Sequence, residues 1–419
     1  MSRLRGTTSP FPSALLALGA VIASGCGREP ITGPITSLPR PLSAAEAQLV
    51  GAGNQFAIRL FREVAAAGDP TANLFISPLS VSLALGMTLN GAAGATYDSM
   101  RQALALDGMG EAEINRSYRD LIALLRGLDP RVDFTLANSI WYRQGYTFEP
   151  AFLDTNRVYF DARIESLDFA AASAPQTIDA WVREQTRSRI TTIAPNPIPS
   201  DAIMYLINAV YFKAVWTERF DAALTRDASF RRTDGSSVSV RMMSRQSESH
   251  AGAARYGTVQ LLDLPYAGGA YRMTIAMPDE PAAIDSLLAD LTLDRWIEWV
   301  GALDSAELFV SLPRFALSSD ISLVDALTAL GMGVAFSAQD ADFSRMLGAR
   351  GPYITNVKHK TWVEVNEEGT EAAAATSVGV GVTSVSPSVT VDRPFIFVIR
   401  ERLSGTILFI GKVVDPTAG

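Results

Sequence analysis

Few side chains in this sequence are suited to chemistry. Two histidines, His250 and His359, and one cysteine, Cys26, are the whole supply of imidazole and thiol in 419 residues. Structural zinc sites draw three or four ligands from such groups, so a His-rich metal centre is beyond this chain, and neither metal nor cofactor is expected. No GxSxG elbow, HExxH helix motif or GxxxxGK(S/T) phosphate loop occurs. The run from Gly405 to Lys412 has the wrong spacing and no hydroxyl after the lysine. His250 stands in SRQSESHAGA, a polar stretch that reads as a solvent-facing loop. A Ser-His-Asp triad on either histidine is the enzymatic reading with least support. The chain is not expected to be an enzyme.

Chemistry done to the chain, as opposed to chemistry done by it, has a better candidate. Residues 367 to 389 read EEGTEAAAATSVGVGVTSVSPSV. The four alanines favour helix, the Val-Gly alternation has the period of a half-buried strand, and the flanking Ser, Thr, Gly and Pro favour exposed loop. Taken as a strand, Thr370, Ala372, Ala374, Thr376, Val378, Val380 and Val382 share one face. Glu371, Ala373, Ala375, Ser377, Gly379, Gly381 and Thr383 share the other. One face is small and then apolar, and the second is mostly small or polar. A plain linker would not lead into strands as tightly patterned as those at 394 to 414.

The elements that must position this segment can be read along the chain. Residues 44 to 67 carry apolar side chains at helical spacing, among them Phe56, Leu60, Phe61 and Val64. NLFISPLSVSLALGMTLNGA gives a short β run, a helix start at Ser77-Pro78 and an apolar helix. A helix is expected over 111 to 127, a strand over 132 to 144, and a helix over 174 to 190. AIMYLINAVYFKAVW (202 to 216) is too apolar for an edge strand and suits a central one. RMMSRQ, VQLLDLPY, YRMTIAMP and ELFVSLPRF read as strands, with a helix over 281 to 300. RPFIFVIRE and GTILFIGKVVDP form a final pair joined by an LSG turn. This order, helices first and strands massed in the middle and at the end, predicts an α+β domain. The net charge of −8 and the lack of any Lys/Arg-rich run argue against a nucleic-acid partner.

The N-terminus, MSRLRGTTSPFPSALLALGAVIASGC, has basic Arg3 and Arg5 and an apolar run from Ala14 to Ala23 too short to span a bilayer. Residues 1–25 read as a signal peptide. Ala23-Ser24-Gly25-Cys26 resembles a bacterial lipoprotein lipobox, with Ala23 in place of the usual leucine. A plain secretory signal with an incidental cysteine is the alternative. Both readings place the protein outside the cytoplasm, in the cell envelope or secreted, and Cys26 is the one possible membrane attachment. Pro30, Pro34, Pro39 and Pro41 make 26–43 a semi-rigid tether, with the globular domain over 44–419.

Four motifs carry a family resemblance. NLFISPLSVSLALGM (73 to 87), LINAVYFKAVW (206 to 216), WVEVNEEGTEAAAAT (362 to 376) and DRPFIFVIRERLSGTILFIGKVVDP (392 to 416) resemble, in the same order, those of the serpins. The resemblance implies one domain with three β-sheets, about nine helices and an exposed reactive-centre loop over about 367–391. It implies a hinge of Glu367, Gly369, Thr370, Glu371, Ala372, Ala373, Ala374 and Ala375, and a hydrogen-bonded shutter of Ser77, Ser80, Asn208 and His359. Trp216 matches the breach tryptophan. Two departures fall in IDAWVREQTRSRI, where the family usually has Asn at Asp179 and Gly at Ser188. The helix near 93 to 106 has no basic face, so heparin-type activation is not implied.

The function implied is suicide inhibition of a protease, in which the cleaved loop enters the central sheet as a strand. The resemblance implies a scissile bond about fourteen residues beyond the hinge glycine; counted from Gly369 this is Thr383-Ser384, with Val382-Thr383 if the count slips by one. Between Thr370 and Asp392 there is no Lys, Arg, Phe, Tyr, Trp, Leu or Met, so a trypsin-like or deep aromatic pocket has nothing to hold. An elastase-like or subtilisin-like serine protease fits best, and a cysteine protease stays open. The inhibitor would act as a monomer. The other reading is a non-inhibitory serpin acting as a binding or chaperone-like protein, whose hinge tends to be bulky or charged.

Overall fold

The computed structural model describes residue 6 and residues 33–245, 249–370 and 387–418. Serine and proline set the first two helices. Ser43 caps α1 (Ala44–Ala67) in a reciprocal capping box with Glu46, and Ser77 caps α2 (Pro78–Leu89), whose first residue is proline. Between them lies β1 (Leu74–Ile76). PLSVSLALGMTL is apolar around its circumference, and α2 is accordingly buried on nearly every side. α3 (Gly94–Ala103) and α4 (Glu111–Gly127) follow, then β2 (Asp133–Arg143), α5 (Pro150–Phe160), β3 (Ala162–Leu167) and α6 (Ser173–Gln185).

The second half is mainly strand. It runs β4 (Met204–Val215), β5 (Asp221–Arg231), β6 (Ser237–Ser244), β7 (Ser249–Tyr256), β8 (Val259–Pro265), β9 (Tyr271–Pro278), β10 (Asp304–Pro313) and β11 (Phe315–Ser322). After a short helical stretch come β12 (Lys358–Val365), the two-residue β13 (Gly369–Thr370), β14 (Ser388–Thr390), β15 (Phe395–Glu401) and β16 (Ile407–Val413). One sheet of six strands has the order β11-β12-β13-β4-β2-β3. The other strands form a path β1-β16-β15-β9-β8-β7-β10-β6-β5, with β14 beside β10. The expected three sheets are present as two assemblies because β10 serves two of them. Its first half pairs with β7, and its second half pairs with β6 and β14. β4 is central, as its apolar sequence predicts.

Several boundaries differ from the sequence reading, each for a local reason. The helix expected over 281 to 300 is two helices, Ile284–Asp290 and Leu293–Gly301, because Thr292 caps the second by accepting from the Arg295 N–H. The described residues hold ten α-helices against the nine or so expected. α6 stops at Gln185, five residues short of 190, because Arg187 and Ser188 have positive φ of 50° and 65°. His250 is on strand β7, not in a loop, although its side chain does face solvent between Glu218 and Glu307. The packed body also starts earlier than 44. Ile35 is buried, its N–H donates to the Gly268 carbonyl at 2.8 Å, and its carbonyl accepts from Arg402 at 3.1 Å.

Candidate functional site

The six-stranded sheet has an unusual centre. β13 is antiparallel to β12 on one side and to β4 on the other, so β12 and β4 run parallel with two residues between them. Among the described residues no ladder pair joins β12 directly to β4. Farther along the same seam lies a cavity of about 920 Å3, walled by Met204, Leu206 and Asn208 of β4 and by Lys358 and Lys360 of β12, with Ser80 of α2 beneath. Such a seam offers backbone donors and acceptors from two strands. A chain continuing past Thr370 in the direction of β13 would lie antiparallel to both.

A tight turn delivers the chain to this position. The Asn366 side-chain carbonyl accepts from the N–H groups of Glu368 and Gly369, and the Asn366 N–H donates to the Gly369 carbonyl. Gly369 must be glycine here, since a Cβ would stand 2.0 Å from the Ala214 carbonyl oxygen. Thr370 pairs with Ala214 and Val365, is 2% exposed, and shares a 2.7 Å hydrogen bond with the Tyr266 hydroxyl. Glu367 is largely buried, accepting from the Thr225 hydroxyl at 2.6 Å and facing Arg314. Trp216 closes the top of the seam: its indole N–H donates to the Asn366 carbonyl at 2.9 Å, and its ring stacks on Tyr266 at 4.3 Å. Three sequence-predicted residues, Gly369, Thr370 and Trp216, are thereby brought together. Tyr266, which links them, was not foreseen.

Lower in the seam the four predicted shutter residues do converge. The Ser77 N–H donates to Nε2 of His359 at 3.0 Å, and the Ser77 hydroxyl donates to the Leu408 carbonyl at 2.9 Å. The Ser80 N–H reaches the Ser77 hydroxyl, and the Ser80 hydroxyl donates to the Asn208 carbonyl at 3.3 Å. Asn208 then donates to the Asn138 side chain at 2.7 Å, which donates to the Phe160 carbonyl. The network joins α2 to β12 through His359 and to β4 through Asn208, so it ties the two walls of the seam to one helix. Asn138 was missed. Its signal was an amide in the middle of the apolar strand ANSIWY, opposite Asn208 in register. The two family departures also find their places. Asp179 caps the chain after α6 by accepting from the Ile193 and Ala194 N–H groups at 2.7 and 3.0 Å. Ser188 holds the left-handed conformation that glycine would adopt without strain.

His359 is fully enclosed, and burial pulls its pKa down from 6.5 to about 4. With Nε2 accepting from Ser77, the ring is neutral and its proton is on Nδ1. The folded state therefore resists protonation while the unfolded chain accepts it, so this group costs nothing above pH 6.5 and destabilises as pH falls from 6.5 towards 4. The full effect is about 3 kcal/mol. Thermal unfolding followed across that interval should show a loss of stability that His359→Gln reduces. An unchanged slope in the variant would remove His359 as its source.

The other predicted residues, Cys26, Glu371, Ala372, Ala373, Ala374, Ala375, Val382, Thr383 and Ser384, lie outside the described residues. Among the described residues no group of three or more His, Cys, Asp or Glu side chains could hold a metal, and no helix is long and apolar enough to cross a membrane.

The family model described as serpin (serine protease inhibitor) matches residues 51–416. Leukocyte elastase inhibitor from Bos taurus is 37% identical over 380 residues, covering 88% of this chain and all of the relative. The thermophilic serpin tengpin, solved in its native state, superposes with a TM-score of 0.79 at 30% identity, covering 92% of this chain and 97% of that one. Thyroxine-binding globulin in complex with thyroxine superposes with the same TM-score of 0.79 at 27% identity, covering 88% and 99%.

Proposed function

The chain belongs to the serpin family, and from that premise we propose that it inhibits a serine protease as a suicide substrate. The observation that carries this reading is β13. Gly369 and Thr370 already occupy the seam between β12 and β4, pointed along it in the direction a further strand would take. The inward side chain of Thr370 also sets the alternation. Continued as a strand, Ala372, Ala374, Thr376, Val378, Val380 and Val382 would face the core, and Glu371 would face away. The small side chains come first, where entry begins. Cleavage at Thr383-Ser384, or at Val382-Thr383, would free the segment to enter while the protease is still attached as an acyl-enzyme.

The likeness to an inhibitor named for leukocyte elastase supports the target class drawn from the loop's small and β-branched residues. Elastase-like and subtilisin-like proteases are therefore the first candidates. Export on residues 1–25, with acylation of Cys26, belongs to the same reading and rests on the sequence of that segment. The non-inhibitory alternative draws on the likeness to thyroxine-binding globulin. Against it stands GTEAAAAT, which lacks a bulky side chain throughout.

Mixing the purified protein with elastase, subtilisin and trypsin, followed by denaturing gels and intact mass, separates the two. We expect a covalent adduct with elastase or subtilisin and release of a peptide beginning at Ser384 or Thr383. Clean cleavage without an adduct would leave the binding-protein reading in its place.

A further inference from the structure

Between α6 and β4 the chain makes a turn whose backbone is strained. Arg187 and Ser188, neither of them glycine, both hold the left-handed region, with φ of 50° and 65°. Such a conformation persists only where its surroundings fix it. One set of contacts ties the turn to its own helix. The Ser188 N–H donates to the Arg183 carbonyl at 2.7 Å, and the Ile190 N–H donates to the Thr186 hydroxyl at 3.1 Å. A second set reaches the six-stranded sheet, and it reaches both walls of the seam.

β12 turns His359 towards α2 and Lys360, Trp362 and Glu364 to the opposite face, where the turn lies. Arg187 goes to the β4 side. Its guanidinium faces Asp133 of β2 at 3.4 Å and stands 5.9 Å from the centre of the Tyr211 ring of β4. Arg189 goes to the β12 side. Its guanidinium carbon is 4.0 Å from the centre of the Trp362 ring, and it faces Glu364 at 4.0 Å. Thr192 adds a third point, its hydroxyl accepting from Lys360 at 3.2 Å. Tyr211 stands three residues before Ala214, and Trp362 three before Val365. Ala214 and Val365 are the partners of Thr370, so both rings mark one level, three residues down the seam from there. A strand lengthening from Thr370 meets that level almost at once.

We propose that Arg187 and Arg189 are positioning residues for strand entry, clasping the two walls of the seam and setting how readily they part. Each contact is weak at this exposure. The two arms are joined by a strained backbone, so release of one lets the turn relax and weakens the other. This role deepens the reading of the seam as the entry for a strand, and rests on it. A tight clasp guards the uncleaved protein against taking up its own segment, and a loose one speeds capture once that segment is cut.

The test needs no protease: it follows the rate at which the uncleaved protein takes up a fluorescent synthetic peptide with the sequence of residues 371–383. Arg189→Ala should speed uptake about fivefold, the worth of one cation–π contact and one exposed ion pair together. Trp362→Leu should match it, and Trp362→Phe, which keeps a ring under the guanidinium, should stay near the parental rate. Because the two residues act as one arm, the double variant Arg189→Ala/Trp362→Leu should add less than twofold to either single change. Arg189→Lys keeps the charge, loses the stacked plane and should fall between, which serves if Trp362→Leu does not fold. Tm without peptide should stay within about 2 °C of the parent for Arg189→Ala, which separates a parted clasp from general destabilisation. Uptake by the parent with an unchanged rate in Arg189→Ala would overturn the clasp alone. No uptake by the parent would overturn the seam as a strand entry, and the clasp with it.

Discussion

Thr370→Arg is expected to convert the protein from an inhibitor into a substrate. Thr370 is 2% exposed, lies between Ala214 and Val365 in the sheet, and ends on the Tyr266 hydroxyl beneath Trp216. Among the described residues that line the space beside Thr370 there is no carboxylate, and burying a guanidinium there unpaired costs several kcal/mol. The cheaper outcome is for β13 to leave the sheet, which breaks pairing at two residues only. Each residue that would follow enters the seam only next to one already paired, so an arginine that keeps β13 out of the sheet slows insertion at its first step. The protease then completes hydrolysis before it is trapped. The number of inhibitor molecules consumed per protease inactivated should rise at least tenfold, with cleaved product replacing the covalent adduct on a denaturing gel. Thr370→Val, which removes only the bond to Tyr266, should cost about 1–2 kcal/mol and keep most of the adduct. Adduct formation by Thr370→Arg at the parental yield would dissociate β13 from the mechanism.

The second large effect is on heat stability. Cutting the segment between Thr370 and Ser388 should raise Tm by about 20 °C. The scale comes from the seam. A dozen new ladder bonds at 0.5–1.5 kcal/mol, with three valines facing the core at about 1.5 kcal/mol each, sum to on the order of 10 kcal/mol. One kcal/mol moves the Tm of a large domain by roughly 2 °C. The uncleaved protein is then metastable, and its shelf life is a rate, not an equilibrium. Calorimetry before and after a limited subtilisin nick reads the difference directly. A nicked protein that melts at the parental temperature would mean that the seam does not accept the strand.

The sequence revealed the parts of this arrangement that are local and left out those that depend on distant pairing. The Ser77 cap, the central position of β4 and the final hairpin are written in short windows of residue type. The hinge was identified through resemblance to a family, and the Asn366 turn that delivers it was not foreseen. Tyr266 and Asn138 were not legible. Tyr266 acts on a residue 104 positions away, and Asn138 on one 70 positions away, and no periodicity reports such a meeting. The shutter residues were identified through resemblance to a family, since a serine at 77 and a histidine at 359 have no local reason to be neighbours. The break at Thr292 was hidden because apolar spacing continues across it, and the cap was outweighed by the pattern.

The order of strands also bears on how the protein is made. Among the described strands β1 pairs only with β16, and β15 joins β16 to β9, so the hairpin of β15 and β16 lies between β1 and strands that come more than a hundred residues before it. Until residue 413 has emerged from the ribosome, β1 has no partner, the β9 edge is bare, and the Ser77 hydroxyl lacks its acceptor on Leu408. Nascent protein must therefore carry an incomplete core until that hairpin is made, with apolar strand edges available to other chains. The sheet closes only once β15 and β16 have been made, which makes that hairpin a timer for folding as well as a part of the core.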